Sequence, residues 1–203
     1  VQELVLPMMG FKNNFQQNGY EGDDLIAYVA CRFPDETIIV SSDNDLLQLI
    51  ESSRYCSIKF YNFKDLTDKE IFQKTWFGLD PIKWSMVKSI AGCSTDEVPG
   101  IPGVGEQTAA KYLAGLLPEG KSKDKIESSE GRTLFLRNMN LIALPYNGIK
   151  PIKITGIEED DISEDKFKAI FGQYGFRSLI KDEEVEKWSK LFFNEVTDGK
   201  SKR

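Results

Sequence analysis

Two short acidic clusters carry the chemistry this sequence can support. Glu21-Gly22-Asp23-Asp24 places three carboxylates within four residues at a helix start, and Asp43-Asn44-Asp45 follows directly on the β-branched run Thr37-Ile38-Ile39-Val40. Taken singly, each has a plain structural explanation, because acids complement the helix macrodipole and cap free N–H groups in a first turn. Taken together they ask for more. Sites in open α/β sheets gather at the carboxyl ends of strands. Five carboxylates converging there repel one another unless cations neutralise them. Two hard cations about 4 Å apart are the usual arrangement in nucleases, where they activate water and stabilise the leaving oxygen. The sequence contains no histidine, which excludes Ser-His and Cys-His catalysis and any imidazole ligand. Oxygen ligands then dominate, and they favour Mg2+ or Mn2+. Glu21, Asp23, Asp24, Asp43 and Asp45 are the carboxylates that could meet there.

A third feature is the glycine-rich run Pro99-Gly100-Ile101-Pro102-Gly103-Val104-Gly105 leading into a helix. Glycines let the backbone turn tightly and approach another backbone, and the N–H groups of the following helix start can receive a phosphate. Two short helices flanking such a loop form a helix–hairpin–helix, which grips DNA backbone without reading bases. The residues placed to do so are Gly100, Gly103, Val104, Gly105, Gln107, Thr108 and Lys111. The rival readings are a plain interhelix turn and a nucleotide-binding loop. The latter is disfavoured because a dinucleotide fingerprint follows a strand, whereas this run follows a helical segment.

The elements that must position these residues are legible by period. Leu25, Ile26, Val29 and Phe33 predict a helix over 23–32, closed by Pro34-Asp35. Residues 37–40 predict a buried strand, a helix follows with Leu46, Leu47, Leu49 and Ile50, and 57–63 predict a second strand. That order implies an α/β layer with a parallel sheet. Further helices are expected over 67–77, 81–91, 106–116 and 132–144, with 118–131 a loop. Two closing helices, 163–174 and 183–193, would be anchored by Phe167, Phe171, Trp188, Leu191 and Phe192. The expected division is 1–75 for the metal-binding core, 76–150 for the helix–hairpin–helix region, and 151–203 for helices packing back on the core.

With 203 residues, 40% hydrophobic and 29% charged, the chain can bury a sizeable core. No run of about 18 apolar residues suggests a membrane span, and no signal peptide is visible. The three cysteines, Cys31, Cys56 and Cys93, are scattered. That argues for a reducing compartment such as the cytoplasm, and against a disulfide framework or thiolate zinc site. The net charge of −6 speaks weakly against nucleic acid, but the acids concentrate in 158–165 and 182–186. Residues 81–137 carry Lys83, Lys88, Lys111, Lys121, Lys123, Lys125, Arg132 and Arg137, enough for a local basic face.

Three motifs, in order, resemble the 5′→3′ exonucleases and flap endonucleases, a family that includes the 5′ nuclease domain of bacterial DNA polymerase I and phage 5′ nucleases. Tyr20-Glu21-Gly22-Asp23-Asp24-Leu25-Ile26, with Gly19 ahead of it, resembles the family's G-Y-E-A-D-D stretch. Ser42-Asp43-Asn44-Asp45-Leu46-Leu47-Gln48-Leu49 resembles its G-D-x-D-L-x-Q-L stretch. Gly92 to Gly105 is similar to G-D-x-S-D-N-I-P-G-V-x-G-I-G, and the stretches 6–10, 138–145 and 167–179 fit as well. The resemblance covers nearly the whole chain. It implies a PIN-like α/β nuclease core followed by a helical helix–hairpin–helix region. It also implies two divalent ions held by Glu21, Asp23, Asp24, Asp43 and Asp45, with Asp24, Asp43 and Asp45 at the catalytic centre, and a further ligand, Asp96, from the helical part. At the hairpin it implies a monovalent cation such as K+ against a DNA phosphate. The implied partner is DNA with a 5′ flap, nick or end, or an RNA primer, in a bacterial or phage-infected cell.

Two departures stand out. Cys93 replaces an aspartate common in the family, and cysteine is a poor ligand for Mg2+. The family's N-terminal part, which carries a strand-end Asp and a basic arch, has no counterpart in this sequence: either it lies outside this stretch or another chain supplies it. Two other readings compete with the nuclease: a related metal-dependent ribonuclease, and a DNA-binding or assembly module of the same fold without the chemistry.

Overall fold

A computed structural model describes residues 3–33, 36–50, 57–94, 96–145 and 151–193. Pro34, Asp35, Cys56 and the Leu191 side chain lie outside what is described. In chain order the elements are α1 (Val5–Met9), α2 (Gly22–Arg32), β1 (Thr37–Val40), a 3-10 helix Asn44–Leu49, β2 (Ile58–Tyr61), β3 (Leu66–Thr67), α3 (Lys69–Thr75), a 3-10 turn Pro81–Lys83, α4 (Trp84–Ala91), β4 (Gly92–Cys93), β5 (Val98–Pro99), α5 (Glu106–Leu113), α6 (Lys121–Glu127), α7 (Ser129–Ile142), α8 (Glu164–Gln173) and α9 (Asp182–Phe192). They form two compact units. One is Gln16–Ile154; the other joins the two ends of the chain, within Val1–Phe15 and Thr155–Arg203. Among the described residues, no helix is long and apolar enough to cross a membrane.

In the larger unit β1 and β2 pair in parallel, Thr37 opposite Ile58 and Val40 opposite Tyr61. The short β3 adds on antiparallel through Phe60↔Thr67 and Tyr61↔Leu66. One face of this sheet is buried through Ile39, Ile58 and Phe60, and one continuous core runs from Ala27 in α2 to Ile126 in α6. At its centre Trp84 packs against Trp76, tilted by 50° at 4.5 Å, and meets Phe72 edge-on at 5.6 Å. Such aromatic pairs add about 0.5–1.5 kcal/mol beyond their area burial.

Several expectations are corrected. Residues 118–131 are not a loop: Lys121–Glu127 form α6, and α7 begins at Ser129 behind the Ser128 cap, whose hydroxyl accepts from the Gly131 N–H at 3.0 Å. Only one residue of α6, Ile126, is buried, so its sequence carries no apolar period to detect. The turn after Asp43 is a 3-10 helix, tighter than the α-helix expected there. Strand β1 is an edge strand whose Ile38 and Val40 are each 53% exposed, not a strand buried on both faces. In α2 the buried face passes through Asp24, Leu25, Ala27 and Ala30, while Ile26 is exposed, because the alanines allow the closest approach to the core. The helices predicted over 67–77 and 81–91 start later, at Lys69 behind the Asp68 cap and at Trp84 behind the 3-10 turn.

The smaller unit packs α1, α8 and α9 around Met9, Phe167 and Ile170, flanked by Phe11, Phe171, Trp188 and Phe193. Phe167 is an anchor, as the period predicts, whereas Phe192 is exposed on α9. Gly10, at φ 102°, lies against the 158–162 strand of backbone: a Cβ there would sit 1.9 Å from the Asp161 carbonyl oxygen, which only glycine permits.

Candidate metal centre and hairpin

The two acidic clusters meet in the larger unit. Glu21, Asp23, Asp43, Asp45 and Asp96 line one open cavity of about 640 Å3, with Ser41 and the apolar Ile26, Leu46, Val98, Leu141 and Ile142 completing its wall. Asp24 lies behind them, buried. The capping explanation holds in part. The Glu21 N–H donates to Asp24 Oδ2 at 3.1 Å, and the Asp24 N–H to Asp23 Oδ1 at 2.9 Å. Asp43 caps the 3-10 helix by accepting from the Asp45 N–H at 2.9 Å. Capping consumes one oxygen on each of these side chains and leaves Glu21, Asp23, Asp43 and Asp45 around the same space.

The electrostatics show that this convergence is strained. Burial pushes the Asp23 carboxyl above its ordinary range, and the neighbouring Asp24 and Asp43 charges push it further, against the opposing Asp24 N–H. Burial likewise raises Asp45; the Lys88 ammonium pulls it back, and the Asp43 and Asp96 charges raise it again. Lys88 is itself buried, which alone would lower its ammonium. Its ion pairs with Asp45 and Glu106, each at 3.0 Å, hold it above its ordinary value instead. A cluster of carboxylates whose charges raise one another is what a bound cation relieves. Oxygen donors of this kind suit a hard divalent ion.

Asp96 stands with Cys93 and Asp45: one ligand atom from each lies within 4.8 Å of the others. Cys93, on β4, is buried, and its thiol donates to Asp96 Oδ2 at 2.7 Å. Its strand pairs antiparallel with β5 through Cys93↔Val98.

The hairpin lies directly beyond. Gly92, at φ 84°, and Gly100 bring two backbones together: a Cβ on Gly100 would lie 1.9 Å from the Ala91 carbonyl oxygen. Ile101 and Val104 turn into the core, so Val104 offers only its backbone to a ligand, while Gly103, Gly105, Gln107 and Lys111 are exposed and Thr108 is half-buried. Gly105 caps α5 with no side chain near it. Lys111 lies over the Phe77 ring at 5.3 Å, and Lys125 donates to the Pro102 carbonyl at 2.8 Å.

Four residues have positioning roles that motif reading does not assign. Asn138, fully buried on α7, donates to the Ser89 and Pro99 carbonyls at 3.0 and 2.9 Å and so fastens the hairpin to α4. Gln48 donates to the Asp45 and Ile142 carbonyls and accepts from the Leu144 N–H at 2.8 Å. Trp84 Nε1 donates to the Asn44 carbonyl at 2.7 Å, holding the turn between the two aspartates. Lys88 is the fourth. Its signal was present: it lies four residues after Trp84, on a face that is otherwise apolar.

Known proteins are similar to this chain in sequence and fold. A family described as "5′-3′ exonuclease, N-terminal resolvase-like domain" matches residues 2–77. A 5′-3′ exonuclease of Halalkalibacterium halodurans is 39% identical over 98 residues, covering 46% of this chain and 32% of its own length. DNA polymerase I of Bacillus subtilis is 27% identical over 186 residues, covering 83% of this chain and 21% of that protein. The chain thus spans about a third or less of these relatives. A T5 flap endonuclease solved as a pseudo-enzyme–product complex with DNA and metal ions superposes with a TM-score of 0.51 at 17% identity, covering 87% of this chain and 60% of that one. This shows a shared α/β, PIN-like fold. The family match over residues 2–77, these relatives and the fold all liken the chain to the 5′-3′ exonucleases.

Proposed function

We propose that this chain is the metal-binding and DNA-gripping part of a structure-specific 5′ nuclease, hydrolysing DNA phosphodiesters at 5′ ends, nicks or flaps in replication or repair. The observation that carries the reading is the single cavity lined by Glu21, Asp23, Asp43, Asp45 and Asp96 beside a glycine hairpin. In this reading residues 1–75 supply most of the ligands, 76–150 hold the duplex, and the protein acts in the cytoplasm of a bacterial or phage-infected cell. RNA primers and a further segment contributing to the site belong to the same proposal.

Divalent ions such as Mg2+ or Mn2+, held by these carboxylates, would make water nucleophilic and stabilise the leaving oxygen. The chain's own residues do the rest. Asp24 and Asp43 fix the local backbone by accepting N–H bonds and leave Glu21, Asp23 and Asp45 in reach of an ion. Gln48 and Trp84 keep the Asp43–Asp45 turn in place from behind. Gly103 and Gly105 are exposed ahead of α5, whose first N–H groups could receive a backbone phosphate, with or without K+.

The test is mutational. Asp43→Ala or Asp45→Ala is expected to remove flap cleavage while leaving duplex affinity within about twofold; normal cleavage by both variants would exclude the assignment. A second reading, a DNA-binding module without catalysis, is favoured by Cys93 alone. It predicts duplex binding with no cleavage under any divalent ion.

A further inference from the structure

The donor set at one end of the cavity does not fit Mg2+. Asp45, Cys93 and Asp96 approach within 4.8 Å from the 3-10 helix, β4 and the β4–β5 loop. Two of the three, Asp45 and Asp96, line the cavity, so an ion held by all three would keep one position open towards it. Mg2+ takes hard oxygen donors in near-ideal octahedral geometry, and a buried thiol is a poor member of such a set. Three protein ligands of mixed carboxylate and thiolate type, with a fourth position open, are instead a pattern that Zn2+ accepts and that borderline ions such as Co2+ share.

A second observation points to a ligand at the same place. Asp45 is 8% exposed, and its Oδ1 has no donor aligned on it as a hydrogen bond, although the Lys88 ammonium lies 3.0 Å away as an ion pair. Among the described residues Lys88 is thus the one partner of that oxygen, and a carboxylate oxygen has lone pairs for a second. A cation between Asp45 and the Cys93–Asp96 pair would take that place.

We infer that Asp45, Cys93 and Asp96 form a thiolate–carboxylate site that prefers a borderline transition-metal ion, of the Zn2+ or Co2+ class, over Mg2+. This rests on the metal-centre reading above and deepens it. The other carboxylates, Glu21, Asp23 and Asp43, present oxygens alone and keep a preference for a hard ion, so the cavity is asymmetric in its metal chemistry. The ion replaces the thiol proton, which leaves to solvent.

Co2+ is the probe, because a cobalt–thiolate bond gives a sulfur-to-cobalt charge-transfer band in the near ultraviolet. Titration of the full chain under reducing conditions is expected to give that band, saturating at one Co2+ per chain and displaced by Zn2+ but not by equimolar Mg2+. Cys93→Ser and Asp96→Asn should each weaken Co2+ binding by about tenfold or more, roughly 1.4 kcal/mol, and Cys93→Ser should abolish the band. Cys93→Asp should abolish the band and strengthen Mg2+ binding. Asp96 is exposed and off the core, so its variant tests the site even if changes at Cys93 fail to fold. No band at saturating Co2+, or a band that survives Cys93→Ser, would overturn the inference. Flap cleavage is scored separately: a band without cleavage removes the nuclease reading alone, and Mg2+-driven cleavage without a band removes this inference alone.

Discussion

The Lys88 ammonium lies 3.0 Å from the Asp45 carboxylate, with the lysine side chain 9% and the aspartate side chain 11% exposed. The same ammonium lies 3.0 Å from Glu106 at the start of α5. One buried cation therefore joins the acidic cavity to the helix that follows the hairpin. Replacing Lys88 by Met would leave Asp45 buried without its counter-charge, which costs about 3–5 kcal/mol when one partner of a buried pair is removed. The expected result is a large fall in thermal stability in EDTA and a smaller fall in saturating Mn2+, because metal bound to the folded state supplies charge and binding energy. Equal losses with and without metal would show that Asp45 takes no part in holding the ion.

Asn138 is expected to be a stability residue of the hairpin. Asn138→Leu removes both donors to the Ser89 and Pro99 carbonyls, at about 1–3 kcal/mol for each buried group left unsatisfied. Urea unfolding should register that loss, and duplex affinity should fall with it.

The glycines separate into two kinds. Gly100→Ala forces a Cβ against the Ala91 carbonyl and should destabilise the fold by about 1–3 kcal/mol or more, as overpacking does. Gly105→Ala meets nothing within 4 Å and has φ −93°, so stability should stay within about 0.5 kcal/mol. Its effect should appear only as weaker duplex binding, measured at two salt concentrations to isolate the phosphate contribution. Unchanged affinity would remove Gly105 from the interface.

The two acidic motifs were legible because they sit at element ends, where sequence order fixes their place: Glu21–Asp24 at the start of α2 and Asp43–Asp45 after β1. The hairpin was legible through its glycines. What held these parts in register was not. Gln48, beyond its local bond to the Asp45 carbonyl, finds partners 94 and 96 residues away, and Asn138 finds its own 39 and 49 residues away, so sequence order does not reveal what either fastens together. Helix α6 was missed because one buried isoleucine, rather than an apolar stripe, ties it to the core. The exposed face of β1 was missed because a run of β-branched residues does not say which of its faces has a neighbour.

The smaller unit should respond to acid. Asp161 and Glu164 are held below their ordinary carboxylate values of 3.8 and 4.5, Asp161 by Lys166 and Glu164 by Lys168 and the Ser189 hydroxyl. A depressed carboxylate stabilises the fold above its unfolded value, and that stabilisation is lost as pH falls through the folded value. Helical signal should therefore decline below about pH 4. Glu164→Gln, which removes one of these titrations and the ion pair with Lys168, should lower stability at pH 7 and flatten the acid dependence. An unchanged acid profile would mean that these exposed pairs contribute nothing measurable.

The most direct test of the central claim is incubation of this chain with a 5′-labelled flap duplex in Mg2+, Mn2+ or EDTA, beside Asp43→Ala. Cleavage near the junction that requires the divalent ion and vanishes in Asp43→Ala is the predicted result. Duplex binding with no cleavage in either metal, or cleavage that persists in EDTA or in Asp43→Ala, would contradict it.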